Sequence, residues 1–187
     1  RRSNHHHQLC NLGLRRMKRR SLILLVLSFI AGFLMGLSMK LVYESTAFKP
    51  YSWNIPPIIA NCYGPDFDEV YITRAIHYWT IRGHDIGFYE HNPPESFCKS
   101  KEMVNGFIVL RKAGLLELDP ETLASTRRKT SRLIIQSATI TFRPGSQNLF
   151  LLNEHELGHA LGYAHHEVKG HIMHPIYGMM GDKFWIP

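Results

Sequence analysis

The first twenty residues contain no acidic side chain, and the rest of the chain has no excess of either charge. Arg1, Arg2, Arg15, Arg16, Lys18, Arg19 and Arg20 are seven of the 22 basic residues, so 15 basic residues face 15 acidic ones beyond them and the formal +7 belongs to the N-terminus alone. That excludes a basic, polyanion-binding domain, and with it a nucleic-acid partner. Internal repeats and long low-complexity tracts are also absent, which excludes a repeat architecture. Cysteine is scarce: Cys10, Cys62 and Cys98 permit one intrachain pair at most. What is present is an apolar content of 44% in 187 residues, enough to bury the core of one globular unit with an appendage.

The appendage is N-terminal. Between Arg20 and Lys40 runs an uncharged apolar stretch, Ser21 to Met39. At 1.5 Å rise per helical residue it nearly matches a hydrocarbon core of ~30 Å. Basic flanks stay on the cytoplasmic side, so everything after Lys40 is expected to be translocated. A cleavable signal peptide has the same basic start, apolar core and small residues (Gly36 and Ser38, or Ser45 and Ala47), but the length of the run favours an uncleaved anchor. Residues 1–20 then form a basic cytoplasmic segment. Met17 resembles a natural start, which sets residues 1–16 apart as upstream or non-native sequence, and His5, His6 and His7 read as a solvated tail. Cys62 and Cys98 fall on the oxidising side, either as a disulfide or as two separate buried thiols.

Residues 40–50 read as a spacer before a globular domain over 51–187. Tyr51–Ile55, ended by Pro56 and Pro57, reads as a first strand. Asp66 can cap a helix over about 67–82, with Ile72, Ala75, Ile76 and Trp79 on its apolar face and Gly83 at its end. Residues 86–91, 106–112 and 133–142 read as strands, the last alternating Ala138, Ile140 and Phe142 against Thr139, Thr141 and Arg143. The polar segment 113–131 reads as loop, with Asp119-Pro120-Glu121 able to start a short helix. After Pro144-Gly145-Ser146, residues 149–161 form a helix ended by Gly162.

On that helix His155 and His159 are four residues apart, so their imidazoles project from one face and can grip one metal ion. Glu156 sits beside them. His-Glu-x-x-His supplies two neutral imidazoles for a borderline-soft cation and a carboxylate next to its open position. Gly162 stands where the helix must break and can take the left-handed conformation that turns the chain back, which brings His165 toward the metal as a third ligand. His155 through His165 thus matches His-Glu-x-x-His-x-x-Gly-x-x-His at every fixed position. His166, His171 and His174 match no ligand position, since three protein ligands and water are the pattern of catalytic zinc.

This stretch resembles the active site of the metzincin clan of zinc metallopeptidases, and within it most closely that of the matrixins. Met173-His174-Pro175-Ile176-Tyr177 is similar to the matrixin methionine turn. The resemblance implies that Met173 forms the turn beneath the metal and that Pro175 and Tyr177 line the substrate pocket. It is specific over Glu154–Tyr177 and only architectural over 51–143. It implies an α+β, zincin-like domain: a twisted mixed sheet, an active-site helix and a small C-terminal lobe. Matrixins continue into a C-terminal helix, whereas Gly178–Pro187 offers none, so the lower lobe is minimal or the sequence incomplete. Their second, structural zinc has no recognisable ligand set, and His84, Asp85 and His91, the nearest candidates, read as loop residues. Cys62-Tyr63-Gly64-Pro65-Asp66 loosely resembles the matrixin propeptide switch but falls inside the domain, and reads as coincidence.

The resemblance implies one catalytic Zn2+ and an endopeptidase in which Glu156 is the general base. It also implies a peptide substrate paired to a sheet edge above the cleft, for which 133–142 is the expected strand. The chain is expected to be a monomer, membrane-tethered through residues 21–39 and extracytoplasmic, or secreted if that segment is cleaved, where extracellular-matrix or other proteins would be its substrates. Two rivals stay open: a zinc hydrolase of cell-wall peptides, and a membrane-anchored interaction protein with a non-catalytic zinc. A structural zinc takes four protein ligands and no spare carboxylate, so Glu156 speaks against the second.

Overall fold

The computed structural model describes residues 28–30, 51–100 and 102–185. Contacts divide the chain into two units, Arg1–Ala47 and Phe48–Pro187. Of the first, only the exposed helical residues Ser28–Ile30 are described, so the expected anchor over 21–39, the basic segment and the spacer otherwise lie outside the described residues. Among the described residues no helix is long and apolar enough to cross a membrane.

The second unit is built on one sheet. Its strands are β1 (Ser52–Trp53), β2 (Ile58–Cys62), β3 (Tyr89–Glu90), β4 (Phe107–Lys112), β5 (Ala124–Ser131) and β6 (Ile134–Phe142), with helices α1 (Glu69–Thr80), α2 (Glu95–Cys98) and α3 (Leu152–Ala160). The order is β1-β6-β4-β2-β3, all parallel, and β5 pairs with β6 antiparallel. This is the mixed sheet the sequence led us to expect. Ile59, Ile108, Leu110, Ile140 and Phe142 bring its apolar face against α1 and α3, whose Ile72, Ala75, Trp79, Leu157 and Ala160 complete a single core. Along β6 the inward set changes parity, from Ile135 to Ala138, Ile140 and Phe142. A register shift opposite Lys129 and Thr130 accounts for it, because one extra residue in a bulged strand flips the side chains that follow.

Several boundaries differ from the sequence reading. The first strand shrinks to Ser52–Trp53, and a strand that was not expected, β2, follows Pro56 and Pro57 and pairs with both β3 and β4. Asp68, not Asp66, caps α1, its Oδ1 accepting from the Val70 amide at 3.0 Å. The expected loop over 113–131 contains β5, and only a turn closes at Asp119, whose carbonyl accepts from the Thr122 amide at 2.9 Å. β5 escapes a periodicity test because it is polar on both faces, as a sheet edge tolerates. Consequently β6 is not an edge: β5 lies on one side along its length and β1 and β4 on the other.

A Cys62–Cys98 disulfide ties the end of β2 to α2, with the Cα atoms 5.3 Å apart. It leaves Cys62 no thiol to serve as a metal-capping switch. The C-terminal lobe is small, with one 3-10 turn, Tyr177–Met179, and a bridge between His171 and Lys183. Phe184 returns it to the core, its ring 4.9 Å from Trp79 and 5.0 Å from Tyr163.

Candidate metal centre

Two glycines set the local geometry. Gly162, at φ +112°, reverses the chain after α3, and a Cβ there would meet the Tyr51 carbonyl oxygen at 2.5 Å, so only glycine fits. Gly158 lies inside α3, between the two histidines in sequence. A Cβ on it would lie 2.5 Å from Met173 Sδ and 2.6 Å from Trp79 Cζ2, so the missing side chain is what lets the methionine turn close beneath the helix. Met173 is itself 1% exposed.

The reversal brings His165 beside His155 and His159, and one ligand atom of each lies within 4.8 Å of the others. Their ring centroids are 4.6, 5.5 and 4.7 Å apart in the pairs 155–159, 155–165 and 159–165. His155 Nδ1 meets the Ile172 carbonyl and His159 Nδ1 the Tyr163 carbonyl, both at 2.8 Å. A carbonyl oxygen only accepts, so both Nδ1 atoms carry the proton and both Nε2 lone pairs are free. Those two Nε2 atoms face each other at 3.0 Å. Bonds of ~2.05 Å in a tetrahedron require about 3.3 Å, so a few tenths of an ångström of side-chain adjustment admit zinc. Burial also keeps both rings neutral, pulling His155 down to about 4 and His159 to about 3. The donor set fits a zinc ion.

Glu156 is buried, and burial pushes its carboxyl up to about 7 against the opposing effect of a hydrogen bond. The donor of that bond is the Thr126 hydroxyl on β5, 2.6 Å from Oε2. Two residues along β5, Arg128 Nη1 donates to the His159 carbonyl at 2.8 Å. Thr126 and Arg128 therefore hold the edge strand against the helix that carries the histidines. Between β5 and the methionine turn lies an open cleft of about 700 Å³, walled by Pro175 and Tyr177 and floored by His155, Glu156 and His159. A smaller hollow beside Tyr51, His84 and Gly162 contains none of these groups.

The other histidines have structural duties. His171 Nδ1 and His174 Nδ1 each accept an amide two residues on, from Met173 and Ile176, at 3.0 Å, shaping the methionine turn. His166 stacks on His171 with centroids 4.2 Å apart. His84 Nε2 pairs with the Tyr163 hydroxyl at 2.7 Å, and His91 with Glu69. Among the described residues, His155, His159 and His165 are the one group able to hold a metal ion. The buried Glu154 carboxylate is paired with Arg74, and its carbonyl accepts from Trp79 Nε1 at 2.8 Å, which fastens α1 to the start of α3.

Sequence reasoning passed over Thr126 and Arg128. Each acts across about thirty residues of chain, and no spacing signal marks them.

Two comparisons with known proteins bear on this centre. No curated protein matches the chain. The sequence model of the matrixin family does, over residues 66–186, which takes in α1, every strand from β3 onward, the three histidines and the methionine turn. The chain belongs to the matrixin family of the metzincin zinc metallopeptidases.

Proposed function

We propose that this protein is a zinc-dependent endopeptidase that holds its metal through His155, His159 and His165 and uses Glu156 as general base. The observation that carries the proposal is the position of Glu156: a buried carboxylate adjoining the imidazole cluster, at the floor of a cleft bordered by the outer edge of β5, which pairs with no further strand among the described residues. Held by the three histidines, a zinc ion would supply a Lewis acid and make an attacking water acidic enough to act near neutral pH. Glu156 takes the proton of the attacking water and delivers it to the departing amine. Burial raises the Glu156 carboxyl above its ordinary range, the direction that suits a group which must both accept and release a proton. The outer edge of β5 gives an extended substrate main-chain donors and acceptors. Pro175 and Tyr177 form the opposite wall, and Met173 underlies the metal-binding helix.

The reading extends to a monomer tethered through residues 21–39, with its catalytic domain outside the cytoplasm. The Cys62–Cys98 disulfide supports an oxidising compartment.

The test is zinc content and cleavage of an unstructured protein by the full chain in detergent, beside Glu156→Ala. The expected result is one zinc per chain in both and cleavage by the unsubstituted protein only. Zinc in both with cleavage by neither would favour a structural zinc module.

A further inference from the structure

The cleft is electrically uneven. Its charged side chains beyond the histidines are Glu156, at the centre, Glu121, just before β5, and Arg128, well along it. Glu121 sits in the turn that precedes β5, whereas Arg128 stands four residues past the strand's start at Ala124, about 13 Å of extended chain, so the two lie toward opposite ends of the groove. Arg128 has an unusual setting for a cation. It is half-buried, its guanidinium lies 5.5 Å from the centre of the Tyr51 ring, and one of its five donors caps the His159 carbonyl. No carboxylate neutralises it among the described residues. Its neighbours behave differently: Arg127 and Lys129, on the other face of the strand, are exposed. A helix-capping role accounts for one donor. It does not account for a full positive charge, partly desolvated, at the wall of a substrate cleft, where a carboxylate from outside would gain a bidentate, charge-assisted pair.

We propose that Arg128 is a specificity-determining residue that selects substrates with an aspartate or glutamate on the N-terminal side of the cleaved bond. The inference rests on the endopeptidase reading above. Thr126 touches Glu156 and so marks the level of the reacting carbonyl. Arg128 stands two residues further along β5, about 7 Å away, and its long side chain covers the stretch two to four residues from that bond. Antiparallel pairing, the more stable arrangement, runs the substrate against β5 and puts its N-terminal half at the Arg128 end. The C-terminal half then lies toward Glu121, where a basic or neutral residue fits.

The experiment is a mass-spectrometric profile of the bonds cut in a mixture of proteome-derived peptides by the full chain, beside Arg128→Gln, which removes the charge, and Arg128→Glu, which reverses it. We expect Asp and Glu to be enriched at least fivefold at a position two to four residues before the cut. The preference should vanish in Arg128→Gln and turn toward Lys and Arg in Arg128→Glu. On a matched pair of acidic and neutral peptides, Arg128→Gln should raise KM about tenfold for the acidic one relative to the neutral one, and added salt should do likewise in the unsubstituted enzyme. A merely structural role would lower kcat for both peptides equally. Cleavage by the unsubstituted protein with no acidic preference overturns this inference alone, whether or not either variant folds. Failure to cut any peptide overturns the endopeptidase reading beneath it.

Discussion

Replacing Gly158 by alanine sets two effects of opposite sign against each other. Alanine is the better helix former by ~0.8–1.0 kcal/mol, so in an isolated helix the substitution stabilises. In this fold the added Cβ would stand 2.5 Å from Met173 Sδ and 2.6 Å from Trp79 Cζ2. Ordinary carbon contacts lie at about 3.5–4.0 Å, so both neighbours must retreat by roughly 1 Å. Met173 has flexible torsions and yields in part. Trp79 cannot: it is fully buried, stacked on Tyr163 at 5.1 Å, and bonded through Nε1 to the Glu154 carbonyl on the same helix. Overpacking of this kind costs about 1–3 kcal/mol, and with two buried partners we take the upper half of that range. The net expectation is a loss of about 1–2 kcal/mol, or about 3–8 °C in Tm for a domain of this size. Any shift of α3 also displaces His155 and His159, so zinc affinity should fall about tenfold. Melting of zinc-loaded and chelated protein, with a zinc titration, measures both. A variant that melts at or above the unsubstituted protein, with unchanged zinc affinity, would show that the helix and the methionine turn are not packed as described.

Other predictions follow from particular contacts. Thr126→Val keeps the shape of the side chain and removes a bond to a carboxylate worth ~1.5–3 kcal/mol, so kcat/KM should drop about 10–150-fold while Thr126→Ser restores it; equal activity of the Val variant refutes the positioning of Glu156 by β5. Replacing Cys62 and Cys98 by serine opens a loop with a sequence separation of 36 and should lower stability by about 3–4 kcal/mol in urea unfolding. For chelated protein the pH dependence has a worked sign. His155 and His159, held below 6.5, stay neutral in the fold and gain protons on unfolding, so they make stability rise with pH. Glu156, held above 4.5, has the opposite slope up to about 7. Two groups against one leave a gain of about 1.4 kcal/mol per pH unit between 4.5 and 6.5, to which His165 and His171, also depressed by burial, add in the same direction. A Tm of the chelated protein that stays flat or falls from pH 5 to 6.5 refutes the burial of the neutral histidines.

The parts of this protein that could be read from its sequence are those whose partners are close along the chain. His155, Glu156, His159, Gly162 and His165 are one helix turn or one chain reversal apart, and helical geometry converts that spacing directly into a cluster. Met173-His174-Pro175 was equally local, because its shape is set by amide bonds to His171 and His174 only two residues back. β5 and β2 were misread for different reasons. β5 has no apolar face to give it a period, and β2 follows two prolines and runs apolar at Ile58, Ile59 and Ala60 without alternation, as a strand buried on both faces does. The mistaken choice of β6 as the sheet edge followed from losing β5, since without it β6 is the outermost strand. Thr126 and Arg128 could be found only once the sheet brought residue 126 to residue 156.

The backbone bonds behind the histidines link three segments that the metal alone would otherwise have to gather. Nδ1 of His155 binds the carbonyl of Ile172, next to Met173, and Nδ1 of His159 binds that of Tyr163, just past the reversal at Gly162. Each ring is thus oriented by the segment that must also be in place for the cleft to exist. A protonated Nε2 would bring charge into a buried site, and a deprotonated Nδ1 would lose its bond to the carbonyl, so the fold favours one tautomer for each. The imidazoles are therefore presented in the form a metal accepts before any ion arrives, and little reorganisation is left for binding to supply. Arg128 and Thr126 do for β5 what these carbonyls do for the turn, fixing that strand to the same helix through the His159 carbonyl and the Glu156 carboxylate. Glu156, the histidines and the outer strand are consequently fastened to one another, which is why a single methyl group on Gly158 should be felt at His155 and His159.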